Sequence, residues 1–288
     1  MTNPNTFTFT QKMREHSSLF TKVPDLEKKA AELRLRALQS IAKAGVGATG
    51  SCMSIVEILT ALYYGQLNGR PVMGDDLFLL SKGKAAPILY AVLADLGYFS
   101  DEELDYLGKE GALLSMKQGV KVPGVLFPGF VQGHGLSVAL GVALSRAMDR
   151  ESGRVFTLMG DGELQSGQVW EAIMAASHYK LNNLICFVDN NKIQGSFLPN
   201  GGMDVGSIQD KFEAFGWMVV QVRDGHDFDK IFDALDRAFT TVRKPVCIWC
   251  HTVASKGIDF AEGKYGYQNV PLSEGEMSVI IPKLEQLI

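Results

Sequence analysis

Cysteine is scarce, with four residues in a chain of 288. So few builds no disulfide framework at this length, and reduced thiols in the cytoplasm are the expectation. Runs of like charge are missing too. Lysine and arginine total 28 against 32 aspartates and glutamates, a net charge of −4. Without a basic block, a nucleic-acid binder working by phosphate neutralisation is excluded. No apolar run approaches the roughly 18–20 residues that span a bilayer. The opening MTNPNTFTFTQK has no charged segment leading into an apolar one, so no secretory signal is expected. Apolar residues are not lacking: 46% of the chain is hydrophobic and 21% charged. Those are globular values, and they exclude a disordered chain.

Periodicity then orders the chain. Residues 1–23 read as a polar arm, and 24–288 as one domain. Leu26, Ala30, Leu33, Ala37, Ile41 and Ala44 recur at three or four, predicting a helix from Asp25 to Ala44 with Pro24 at its start. A second helix is expected over Ser54–Tyr64, a short strand over Leu77–Leu80, and a helix over Ala85–Leu96 ended by Gly97. Ser100 and Glu103 have the spacing of a capping box for a short helix from Asp101. Residues 111–133, rich in glycine and holding Pro123 and Pro128, predict a long functional loop. The second half alternates: strands at Val155–Met159, Leu184–Val188, Trp217–Val222 and Val246–Trp249, helices at Val169–His178, Ser207–Phe215 and Asp227–Thr241. The strands are continuous apolar runs, as in strands buried on both faces. The expected fold is α/β, a doubly wound, mostly parallel sheet. A last helical segment, 273–287, should kink or break at Pro282.

Three motifs invite chemistry. Gly45-Val46-Gly47-Ala48-Thr49-Gly50 fits the dinucleotide fingerprint, but that motif needs a strand before it. A helix precedes it here, so an inter-helix turn is the better reading. Cys247 and Cys250 lie an odd spacing apart in an apolar strand. They should point to opposite faces as core cysteines, not form a redox pair. Gly160-Asp161-Gly162 differs, because it directly follows a strand and precedes a helix. Open parallel sheets bind ligands at that end of their strands. The next strand ends in Asp189-Asn190-Asn191-Lys192-Ile193. If the strands are neighbours, Asp161 and Asn191 enter one crevice. A magnesium ion there would join them to a diphosphate, completed by a backbone carbonyl and water.

GDG followed by NN at this distance resembles the thiamine diphosphate fingerprint. The stretch GDGELQSGQVWEAIMAASHYKLNNLICFVDNNKIQGS is similar to the diphosphate-binding part of the transketolase family. MSIVEILTALYY, DLFLLSKGKAAPILYAVLADLGYF, GHGLSVALGVALSRA and HTVASKG resemble further family segments, in order, over roughly residues 25–270. The resemblance implies the thiamine-diphosphate-binding fold and a cofactor pair of thiamine diphosphate and Mg2+. It implies Asp161, Asn191 and the Ile193 carbonyl as metal ligands. It implies a cofactor cradle of Gly160, Gly162, Glu163, Gln132 and Gly133 in the glycine turn that reaches Gly135, with Glu171 in a subunit-interface network. The chain ends where the family's pyrimidine-binding domain would begin. It therefore looks like the N-terminal subunit of a split enzyme, with a C-terminal transketolase-like partner in an α2β2 assembly.

The chain also departs from the family pattern. Family histidines around cofactor and sugar are matched by Ala48 and Lys84, and loosely by Tyr267; a third has no counterpart in Ser115–Val125. A family serine-rich stretch becomes Pro128-Gly129-Phe130-Val131-Gln132, and a family glutamate becomes Ser166. The cofactor side is kept and the substrate side rebuilt. Lys84 is either a diphosphate partner with a catalytic part or a surface lysine. His134 is either the proton-handling group or a polar helix cap. His251 reads as structural. Three functions follow: two-carbon transfer to a carbonyl acceptor, decarboxylating acyl transfer from a 2-oxo acid such as pyruvate, or a scaffold subunit without activity.

Overall fold

The computed structural model describes residues 23–67, 76–116, 119, 121–129, 131–193 and 203–288. Of the arm expected over 1–23, residues 1–22 lie outside them, as does Phe130, while Val23 opens the first helix. Five strands form one sheet: β1 (Leu77–Leu80), β2 (Val155–Gly160), β3 (Leu184–Asn190), β4 (Met218–Val222) and β5 (Val246–His251). Their order is β1-β2-β3-β5-β4. Every pairing is parallel. Thr157 and the side chains of Val155, Phe156, Leu158 and Met159 are all buried. That is why this strand shows no alternation of apolar and polar residues.

Helices cover both faces. The first is covered by α1 (Val23–Ala44), α2 (Thr49–Met53), α3 (Val56–Thr60), α4 (Ala86–Asp95), α8 (Phe228–Thr240) and α9 (Glu274–Glu285). They pack on Phe78, Leu80, Phe156, Leu158, Ile185, Phe187 and Ile248. The second face carries α5 (Gly135–Asp149), α6 (Gly167–His178) and α7 (Ile208–Ala214). These pack on Leu79, Val155, Met159, Leu184, Cys186 and Val188. Trp217 fastens this layer, since its indole donates to the Ile173 carbonyl at 2.9 Å. Cys247 and Cys250 belong to opposite faces, as their spacing predicts. Burial pushes the Cys52 thiol up to about 12 and raises Cys186, Cys247 and Cys250 further, so all four are inert core residues.

Most predicted elements form within two residues of their expected ends, with three corrections. The helix expected over Ser54–Tyr64 begins five residues early and is broken at Ser54 and Ile55, then continues through a buried π-helical segment, Ala61–Gln66. The Ser54 hydroxyl contacts the Ser51 carbonyl at 3.2 Å and Asp189 at 2.8 Å, a local competitor for helical hydrogen bonding. Ser100 makes no side-chain cap; a 3₁₀ turn, Asp101–Tyr106, starts there on the Glu103 N–H to Ser100 carbonyl bond alone. Helix α9 runs unbroken through Pro282, and a capping box of Ser273 and Glu276 starts it. Pro282 lacks the N–H that would bond the Ser278 carbonyl, so one rung of the ladder is lost without ending the helix.

Parallel pairing sends the carboxyl ends of all five strands to one edge. Gly160 lies in register with Asp189. The segments after β1, β2, β3 and β5 therefore converge there.

Candidate cofactor site

Asp161 opens a 3₁₀ turn after β2 and is 5% exposed. One of its oxygens accepts the Gly162 N–H at 2.8 Å and the other the Lys192 N–H at 3.3 Å. Asn190, with its amide oriented to suit both neighbours, donates to Asp161 at 3.2 Å and accepts from the Trp249 indole at 3.0 Å. Asn191 is equally buried, at 6%. Its side-chain oxygen accepts the Ile193 N–H at 3.0 Å. Lys192 between them has φ 63°, so the chain turns back sharply at this point. The Lys192 N–H thus ties Asp161 to the turn that carries Asn191 and Ile193. No group of three His, Cys, Asp or Glu among the described residues could hold a metal. The donor set here is one carboxylate and two carbonyl-type oxygens. Hard cations such as Mg2+ accept such a set when substrate phosphates complete the shell.

Glu163 joins three segments. Its carboxylate accepts the Ser81 hydroxyl after β1, the Gly133 N–H at 2.9 Å before α5, and the Gly160 N–H at 2.8 Å at the end of β2. Burial raises its pKa, against the pull of these donors and of Lys82. At 2% exposure its side chain faces the junction of the segments, not a ligand. Gly133 has φ 83°, and a Cβ there would lie 2.7 Å from the Ser166 hydroxyl. The glycine turn is thus pressed onto the start of α6, and only glycine fits.

Beneath Asn191 lies a charge pair that sequence reasoning missed. Asp189, fully buried, is bonded to Lys82 and Thr252, to Ser54 at 2.8 Å, and to the Asn191 amide at 3.3 Å. The Lys82 ammonium also donates to the Ser51 carbonyl and Ser54 hydroxyl, both at 3.1 Å. An aspartate ending the apolar run LICFVD was the available signal, since a buried charge needs a partner.

Other predicted residues lie further out. Lys84 is exposed at the entry to α4, with its ammonium 3.5 Å from the Asn269 side chain. Gln132 is exposed. His134 occupies the N-cap position of α5 but caps nothing with its side chain, which overturns the capping alternative; its Nδ1 lies 3.5 Å from the Gln132 carbonyl. Tyr267, set against a family histidine, donates to Glu276 at 2.6 Å and meets the Phe260 ring edge-on. His251 lies tilted against Trp249, with ring centroids 4.5 Å apart, and its Nε2 is 2.8 Å from the Gln221 amide nitrogen.

A second buried cluster holds the segment after β5. Arg34 of α1 pairs with Glu57 of α3 and donates to the Lys256 carbonyl at 2.9 Å. His226 Nδ1 meets the other Glu57 oxygen at 2.8 Å, while the Val253 N–H donates to Nε2 at 2.9 Å. The ring hydrogen therefore sits on Nδ1. Burial alone would push the Glu57 carboxyl up, but Arg34 and His226 outweigh it and lower it from 4.5 to about 2. A lowered carboxyl adds stability above its unfolded value and loses it as pH falls toward its folded one. Thermal stability should therefore drop between about pH 4.5 and pH 2, and Glu57→Gln should flatten that drop. Equal slopes in melting series of the two proteins would contradict this assignment.

The sheet order and the paired strand ends define a parallel α/β domain with Asp161 and Asn191 together at its carboxyl edge. Residues 26–284 match the family described as "Transketolase, thiamine diphosphate binding domain". The chain belongs to the transketolase family. It is 37% identical over 267 residues to the 6-deoxy-6-sulfo-D-fructose transketolase subunit SqwG of a Clostridium species, covering 91% of this chain and 97% of that protein. It is 34% identical over 275 residues to a subunit of the apulose-4-phosphate transketolase of Phocaeicola vulgatus, covering 92% of this chain and 98% of that protein. The crystal structure of transketolase from Campylobacter jejuni superposes with a TM-score of 0.82 at 26% identity, over 90% of this chain and 42% of that one. The chain thus spans about two-fifths of a single-chain transketolase and nearly all of either subunit.

Proposed function

We propose that this chain is the cofactor-binding subunit of a two-component transketolase. With a C-terminal subunit carrying the pyrimidine-binding domain, in an α2β2 assembly, it moves a two-carbon unit from a ketose to a carbonyl acceptor. The observation that carries this reading is the donor set of Asp161, Asn191 and Ile193 at neighbouring strand ends. These residues would hold Mg2+ and through it the diphosphate of thiamine diphosphate. The backbones of Gly160, Gly162, Glu163, Gln132 and Gly133 would line the cradle. Thiamine diphosphate, when bound, supplies the electron sink for cleaving a carbon–carbon bond next to a carbonyl. Glu163 keeps the glycine turn against Gly160, so the cradle is set before any ligand arrives. His134, half-buried beside that turn, would carry a proton, and Lys84, exposed at the entry to α4, would meet a phosphate. Residues 24–288 would act as one domain, in the cytoplasm, where the free buried thiols stay reduced.

The substrate side supports a donor other than the common pentose phosphates. Ala48 has no side-chain donor, and Tyr267 is engaged with Glu276. Sites that hydrogen-bond a hydroxyl discriminate strongly, so losing such groups alters preference. The two subunit relatives bear the names of a sulfonated deoxyketose and of apulose 4-phosphate. We assign this chain a donor of that unusual ketose class. The test is to assay this chain alone and with its partner on 6-deoxy-6-sulfo-fructose, apulose 4-phosphate, xylulose 5-phosphate and pyruvate. The pair should turn over an unusual ketose, xylulose 5-phosphate poorly, and pyruvate not at all. The chain alone should be inactive. Turnover by the single chain, or preference for pyruvate, would overturn the assignment.

A further inference from the structure

Gln268 follows the 3₁₀ turn Tyr265–Tyr267 and is 6% exposed. Its amide nitrogen lies 3.2 Å from the Ser51 hydroxyl and 3.4 Å from the Ile193 carbonyl oxygen. Its amide oxygen is buried and has no hydrogen-bond partner among the described residues. Two features put it there. Gly50 leaves room, since a Cβ at that position would lie 2.8 Å from the Gln268 Cα and collide with the amide. Thr49 donates to the Val270 carbonyl at 2.6 Å and fastens the segment to α2.

The orphaned oxygen identifies what the amide is for. Ile193 presents a carbonyl, which can only accept, so the nitrogen must face it. Turning the amide over would set two acceptors against each other. An unpaired buried acceptor costs about 1–3 kcal/mol, so an apolar side chain would suit the fold better. The Ser51 hydroxyl can both donate and accept, so it does not fix which way the amide faces. The segment keeps an amide whose orientation is set by a backbone oxygen.

We propose that Gln268 is the positioning residue of the metal site, holding the Ile193 carbonyl oxygen in the direction from which it coordinates the cation. This rests on the cation reading given above. The carbonyl keeps a second lone pair for the metal while the first accepts from Gln268. Groups that orient a ligand in this way typically contribute 10–100-fold to metal affinity.

The experiment uses the full chain with its partner subunit. Mg2+ is titrated calorimetrically in the presence of thiamine diphosphate, for the unaltered protein, Gln268→Met, Gln268→Leu and Asp161→Ala. Both Gln268 variants should bind Mg2+ roughly 10–100-fold more weakly. Without cofactor they should melt at the same temperature as the unaltered protein or higher, because the orphaned oxygen is gone. A purely structural glutamine would show the reverse: a lower melting temperature and unchanged Mg2+ affinity. Affinity within twofold of the unaltered protein in either variant, or failure of both to fold, would overturn the proposal. If Asp161→Ala itself binds Mg2+ normally, the cation site is misplaced, and the broader reading fails with it.

Discussion

Asp161→Ala will abolish magnesium-dependent binding of thiamine diphosphate in the assembled enzyme, by at least about 100-fold. The carboxylate is the one anionic side chain in the donor set with Asn191 and the Ile193 carbonyl. Removing it leaves a divalent cation facing neutral oxygens alone, and the diphosphate charge is then poorly compensated. The fold should survive. Asp161 sits outside both hydrophobic clusters, and what it loses includes accepting bonds from Gly162, Lys192 and the Asn190 amide. Calorimetry with the diphosphate cofactor, alongside a melting curve, separates the two effects. Unchanged cofactor affinity would reduce the GDG motif to a turn.

The second large effect is on stability. Arg34→Met should cost about 3–5 kcal/mol, the range for removing one partner of a buried ion pair. In a chain of this size that corresponds to a melting temperature lower by on the order of 10 °C. Glu57, 7% exposed, would keep the His226 ring N–H but lose its Arg34 cation, and the Lys256 carbonyl would lose its donor. The double variant Arg34→Met with Glu57→Leu should recover part of the loss, because no isolated charge is left behind. Denaturant unfolding of the single variant, the double variant and the unaltered protein checks this. A single variant within about 1 kcal/mol of the unaltered protein would show that the pair contributes little.

Both clusters show where sequence reading stops. Asp161 and Asn191 were legible because each ends an apolar strand, and the ends of adjacent parallel strands must meet. Lys82 was not legible, although it lies two residues from Lys84, which drew attention because it stands where the family has a histidine. The structure sends the side chain of Lys82 inward to Asp189 and leaves Lys84 at the rim. Tyr267 and Gln268 repeat the lesson in reverse, as loose matching favoured Tyr267 while the 3₁₀ turn presents its neighbour. Side-chain direction at a turn changes with each residue, and no periodicity announces it.

The order of secondary elements, the burial of both sheet faces and the carboxyl-edge placement of GDG and NN were determined by the sequence alone. Each depends on local apolar patterning and on the rule that parallel strands expose their ends together. Only the tertiary structure decided which buried charges pair: Lys82 with Asp189, and Arg34 and His226 with Glu57 across 23 and 169 residues of chain. It alone showed that Glu163 binds three segments, and that Gln268 reaches Ile193 from 75 residues away. Such contacts depend on how separate elements are brought together, and a burial pattern within one element carries no record of what the next will set against it.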